Sequence, residues 1–370
     1  MDLRSLEDDF ASHFMRIYLI RAKSLSAVHG SDKTCPTADA ELEYATDAFR
    51  WLRNHSPRLS SSAKHELLES GLVPLCCWFC DHYFVDVPLS RSVLLQFLAN
   101  FSVNHCEAQR IVFQDFNGTL RNFISSSDDS KLLNNSIMLL YNLCLYNTHF
   151  RQDVLKDEKV IKKIMEHWTH NEIEYSKIFL DSIFSSSEDF LCTYTNLSYT
   201  SKEQLTSMLS IWLDHYIEDV SLDVIYVIID NFFINCTVEE ITNNIVNVLA
   251  KASSIEKFKS DIKQHTPLLK KSMDILITIH EQGKDSNNDF SPVKGLSDLL
   301  VNFEIQKQHR FWFKSDIIRL IANMCYNHKE HQHLMGVNNI IPILLECCSF
   351  DAKNPCELHI HNIYIYIYSV

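Results

Sequence analysis

Apolar residues recur along this chain at spacings of three and four, as in SVLLQFLANF (92–101), SIMLLYNLCLYN (136–147) and SDIIRLIANMCYN (315–327). That is the period of a helix with one face against a core. Only six glycines and eight prolines interrupt the pattern. Polar breaks fall at 31–37, 60–62, 125–130, 185–187 and, longest, at EQGKDSNNDFSP (281–292). The pattern predicts an all-α protein. Strict alternation of two residue types occurs in one place, the terminal NIYIYIYSV (362–370).

The three quoted runs are copies of one another. Aligned on Asn100, Asn142 and Asn323, each continues with a bulky apolar residue, a small one and a second Asn (Asn104, Asn147, Asn327). A Gln then opens a short second helix (Gln109, Gln152, Gln332), and a third helix is expected from Leu120, Ile161 and Ile341. The first two copies lie 42 residues apart, within the window of about 40 to 47 for HEAT and armadillo repeats. Between Asn142 and Asn323 there is room for about four more units, visible only as degenerate helical pairs. A repeat of this size cannot hide its apolar face alone, so neighbours stack. The expected fold is an armadillo-like α-solenoid, a right-handed superhelix of helical repeats that binds along its concave face. Its expected parts are N-terminal repeats (1–89), armadillo-like repeats with a diverged middle (90–280), a polar insertion loop (281–310), a C-terminal repeat (311–355) and an irregular tail (356–370).

Charge narrows the partners. With 34 basic and 47 acidic residues the net charge is -13, and no strongly basic stretch offsets it, so a phosphate backbone would be repelled and nucleic acid is not expected. The 12 cysteines sit in apolar runs such as LVPLCCWFC, and the acidic start MDLRSLEDDFASHF lacks the basic and apolar regions of a leader. Both features point to reduced thiols in the cytoplasm. No run reaches the roughly 18 apolar residues of a membrane span. The oligomeric state leaves no trace in the pattern.

The block 313–355, FKSDIIRLIANMCYNHKEHQHLMGVNNIIPILLECCSFDAKNP, resembles the C-terminal domain of the ataxin-10 family. That family shows FKxxLIRLIGNLCY, a charged stretch, GIPLIL, a Cys or Asn pair and a DxxNP turn. Weaker similarity extends upstream through RSVLLQFLANFSVNHCEAQRIVFQ and ILITIHEQGKD. Ala322 and Asn339 stand where the family has Gly, and Asn339 is expected to keep the turn because Asn tolerates a left-handed backbone. After Pro355 the family continues with EWxxxAIRNL, and this chain does not. The resemblance implies a cytoplasmic armadillo-repeat protein without catalytic activity. Its implied roles are cell survival, neurite outgrowth and cytokinesis, and its implied partners are a G-protein β subunit and the O-linked N-acetylglucosamine transferase. Alternating Ile and Tyr is what an ATATAT repeat encodes, so the tail reads as translated intron or alternative exon, and a truncated, non-functional isoform is one alternative.

Three sets of residues are candidates for chemistry. In peptide-binding armadillo proteins an Asn near the end of the third helix grips an extended backbone, and Asn100, Asn142 and Asn323 fit that slot. Alternatively each amide bonds a neighbouring helix end. Four residues earlier stand Gln96, Met138 and Arg319, where nuclear-import adaptors carry Trp, so a lysine-stacking platform is missing. Gln96 and Arg319 join the three Asn as expected partner-binding residues. A metal- or thiol-dependent protein would use Cys77 and Cys80, formally a CxxC pair, or His328 and His331 within HKEHQH. The Cys pair reads better as buried apolar packing and the His pair as linker-helix surface. The glycines are isolated and no nucleophile comes with a base, so neither a cofactor nor catalysis is expected.

Overall fold

The computed structural model describes Ile17 and residues 38–85, 87–171, 174–285, 290–291 and 312–347. The break at 31–37, most of the insertion loop and the tail lie outside the described residues. Among those described there are helices and no strand, and none of the helices is long and apolar enough to cross a membrane. The chain divides into two compact units, Met1–Asp181 and Ser182–Val370.

In the first unit α1 (Ala38–His55) and the short α2 (Ser61–Glu69) and α3 (Leu72–Trp78) precede α4 (Pro88–Ser102), α5 (Cys106–Ser126), α6 (Ser130–Cys144), α7 (Thr148–Leu155) and α8 (Glu158–Asn171). The order follows from local chemistry. Ser60, Asp129 and Asn147 each cap a helix start by accepting from a backbone N–H, at 3.1, 2.7 and 3.0 Å, which satisfies donors that the helix itself leaves unpaired. Helices α1, α4 and α6 pack side by side as one row, and α3, α5 and α8 form a second row that covers it. Aromatic rings fill the space between, with Phe49 5.5 Å from Phe79 and 5.9 Å from Phe97, all three fully buried.

The second unit repeats this plan. After α9 (Glu174–Phe184), α10 (Ser187–Asn196) leads to α11 (Tyr199–His215), α12 (Leu222–Val227), α13 (Asn243–Ala252), α14 (Glu256–Lys263), α15 (Thr266–Gln282), α16 (Phe313–Cys325), α17 (Lys329–Val337) and α18 (Ile340–Glu346). Helices α11, α13 and α16 form the first row; α10, α12, α15 and α18 cover it. Trp212, Phe184, Phe190 and Phe233 are buried here, the ring of Trp212 5.1 Å from that of Phe184. In each unit a covering helix ends in a π-helical segment, Phe79–Tyr83 after α3 and Ile228–Ile234 after α12.

Two details of the repeat alignment are corrected. Asn104 and Asn327 adopt the left-handed backbone, at φ 54° and 53°, and the residues after them, His105 and His328, cap the next helix. Asn147 is extended at φ -129° and is itself a cap, so it matches His105 and His328 in role. The expected third-helix start at Leu120 is also absent, because α5 runs unbroken from Cys106 to Ser126 with Leu120 buried in its middle. Asn339 does take the left-handed turn, at φ 55°, just before α18.

Candidate functional site

The Asn slot lies near the C-terminal ends of the first-row helices. Asn100 on α4 donates from Nδ2 to the carbonyl of Arg53 on α1, at 2.9 Å. Asn323 on α16 donates to Ser253 Oγ at 3.0 Å and to the carbonyl of Ala250 at 3.5 Å, beside the end of α13. Asn142 is half-buried on α6, and its backbone carbonyl accepts from Gln109 Nε2 at 3.2 Å. One N–H of Asn100 and the Nδ2 group of Asn323, shared between two acceptors, therefore tie a helix to its predecessor. Asn100 keeps a second N–H, both amides keep two acceptor lone pairs, and all three slot side chains are only partly covered.

Beside this slot runs a relay of side-chain hydrogen bonds that the sequence reading missed. In the first unit Arg53 Nη1 donates to Gln96 Oε1 at 2.7 Å, and Gln96 Nε2 donates to Asn135 Oδ1 at 3.2 Å, linking α1, α4 and α6. In the second unit Ser210 Oγ donates to Asn247 Oδ1 at 2.8 Å, and Asn247 Nδ2 donates to Asp316 Oδ2 at 2.9 Å, linking α11, α13 and α16. Arg319 extends the chain by pairing with Asp316 Oδ1 at 2.7 Å. Burial pushes the Asp316 carboxyl above its ordinary range, against the opposing pull of Arg319, the Asn247 amide and Lys251.

The relay also locates a repeat hidden in the middle. Lys251 follows Asn247 by four residues, as Asn100 follows Gln96, and its Nζ donates to the Ser210 carbonyl at 3.3 Å just as Asn100 donates to Arg53. Lys251 also pairs with Asp214. LAKAS (249–253) thus stands in register with LANFS (98–102). The signal was the flanking Leu-Ala and Ser rather than the Asn itself.

The metal and thiol candidates have other roles. His328 caps α17 through Nδ1, and both ring nitrogens of buried His331 are engaged, Nδ1 with the Met324 carbonyl at 3.1 Å and Nε2 with Thr266 Oγ1 at 3.3 Å. Cys80 is buried, and burial pushes the half-buried Cys77 thiol up to about 11. Neither is poised as a thiolate at neutral pH. Among the described residues no cluster of His, Cys, Asp and Glu could hold a metal ion.

Comparison with known proteins matches residues 313–361 to the spinocerebellar ataxia type 10 protein domain, past Pro355 and over α16, α17 and α18. Ataxin-10 of Bos taurus is 24% identical over 92% of this chain and 77% of its own length. Residues 313–361 thus carry the domain of that family, and the chain is similar to ataxin-10 along most of its length. Ataxin-10 of Xenopus tropicalis is likewise 24% identical, over 86% of this chain and 70% of its own. Among solved structures, a crystal structure of an engineered protein is similar at 12% identity and a TM-score of 0.39, covering 98% of this chain and 99% of that one. So loose a superposition adds nothing to the fold. The alignment with the bovine protein reaches well beyond the C-terminal domain and takes in both relays.

Proposed function

We propose that this chain is a non-catalytic cytoplasmic scaffold that binds other proteins along the polar strip of the first-row helices within each unit. The observation that carries the reading is the recurrence of the same wiring in both units: a three-helix relay flanked by a slot residue that bonds the preceding helix. Half-covered amides on neighbouring first-row helices suit an extended peptide backbone, because an amide offers acceptor lone pairs beside any N–H left free. Asn100, Asn142 and Asn323 are the proposed contacts, with Gln96 and Arg319 alongside. Family resemblance supplies the partners to try first, a G-protein β subunit and the O-linked N-acetylglucosamine transferase, and the roles in cell survival, neurite outgrowth and cytokinesis. The test is binding of each purified partner to the full chain and to the triple variant Asn100→Ala, Asn142→Ala, Asn323→Ala, with thermal unfolding followed in parallel. At least tenfold weaker binding by a variant that still unfolds cooperatively is expected. Binding unchanged for both partners would overturn the reading.

A further inference from the structure

The motif HKEHQH is absorbed neither by metal chemistry nor by the polar strip, yet it helps to build a cavity. Between the start of α15 and α17 lies an open cavity of about 530 Å³, lined by Thr266, Lys270, Lys329, Glu330, His331 and His333. Its floor is rigid. His331 is buried to 1% exposure, held through both nitrogens, and stacked on His328 with ring centroids 3.8 Å apart. Its rim is cationic. Lys270 and Lys329 are exposed, and among the described residues neither has an ion-pair partner. Exposed His333 stands beside them, and Glu330 is the one acidic residue in the lining.

Two helices begin at this cavity. Thr266 is the first residue of α15 (17 residues) and Lys329 the first of α17 (9 residues). Each helix start carries the positive end of a macrodipole, while the N–H groups of Leu268 and His331 are taken by the caps His265 and His328, so the donors offered to an anion are the side chains of the rim. In a chain of net charge -13, unpaired lysines from two distant segments meeting over a polar floor form a local reversal of charge. The lysines come from α15 and α17, so no basic run betrays them in the sequence.

We propose that this cavity binds a phosphate group, either the free ion or a monoester. Such a group carries about 1.5 to 2 negative charges near neutral pH and several strong acceptor oxygens. Lys270, Lys329 and His333 would donate to those oxygens, and Thr266 Oγ1 lies within the lining as a further polar partner. A single carboxylate would meet the same lysines with half the charge. The volume leaves room for the organic group, with Leu334 as the apolar wall. The phosphate could arrive free, as inorganic phosphate, or esterified to a serine side chain.

Titration calorimetry on the full chain at low ionic strength, with inorganic phosphate, O-phosphoserine, serine and acetate as probes, tests this. Phosphate or phosphoserine should bind at least tenfold more tightly than acetate, with serine showing no heat. Phosphoserine exceeding phosphate would identify the esterified form as the source, and equality would identify the free ion. The pair Lys270→Gln, Lys329→Gln should weaken binding about tenfold or more, His333→Gln by about threefold, while Lys270→Arg, Lys329→Arg retains it. All these positions are exposed, so unfolding curves should not move. Acetate binding as well as phosphate, or an unchanged affinity in the Gln pair, would overturn the proposal.

Discussion

Gln96 and Asn247 each accept from one neighbouring helix and donate to the other, so replacing either removes two bonds with one change. Gln96→Leu also strands the Asn135 amide, whose Nδ2 already lacks a partner in the buried strip. A loss of about 1–3 kcal/mol is expected, read from urea unfolding as a lower midpoint at unchanged slope. Asp316 should behave differently. Burial already raises its pKa, so Asp316→Asn removes a desolvated charge and keeps the shape, and a change within about 1 kcal/mol is expected, whereas Asp316→Leu leaves Asn247 and Arg319 without their acceptor and should lower stability by more. The buried histidines set a pH dependence. Burial lowers the pKa of both His167 and His331, so the unfolded chain binds more protons between the folded value and the ordinary one near 6.5. Their contribution is complete above that pH and falls away as the solution is acidified below it. Asp316 acts in the opposite sense further into acid. Thermal unfolding between about pH 7.5 and 5.5 should show stability dropping, with a shallower slope in His331→Phe, and a flat profile in the parent chain would contradict the assignment.

At the scale of elements, the helix rows were legible because burying one face of a helix leaves a three-and-four spacing in any sequence that does it. Phe116 is fully buried on α5, and Phe116→Ala should lower stability by about 3–5 kcal/mol in a denaturant titration. Caps were legible in part: Ser, Asp and Asn are the usual residues, while His105, His265 and His328 use ring nitrogens for the same bond at 3.1, 3.2 and 3.3 Å, a choice that cap preferences do not flag. The mistaken register of Asn147 has the same origin, since an Asn can be a left-handed linker or a cap and only its backbone angles say which. The relay could not be read from one helix. Gln96, Asn135, Asn247 and Asp316 are ordinary polar residues until the neighbouring helices bring their atoms to within 3.2 Å. Lys251 escaped because the alignment was keyed to an amide, and a long ammonium reaches the same carbonyl by a different route.

For the molecule as a whole, the acidic excess has a measurable effect. A net charge of -13 makes self-repulsion among surface carboxylates appreciable at low ionic strength, where the screening length is about 30 Å at 0.01 M. Raising sodium chloride from about 0.01 to 0.15 M should therefore raise the unfolding temperature by a few degrees, and a decrease would show that surface ion pairs such as Arg121 with Asp153 and Asp157 dominate instead. The relays have a consequence of their own, best put mechanically. Within each unit they stitch the first-row helices together crosswise in one continuous relay, whereas the polar ties of the covering row, such as Arg121 with Asp157 and His280 with Glu346, are scattered and partly exposed to water, where they hold less. Each unit is thus built like a book bound along one edge. Pulled apart, it should fan open on the covering side while the bound edge keeps its spacing, so the polar strip would hold a constant ruler length as the rest of the unit breathes.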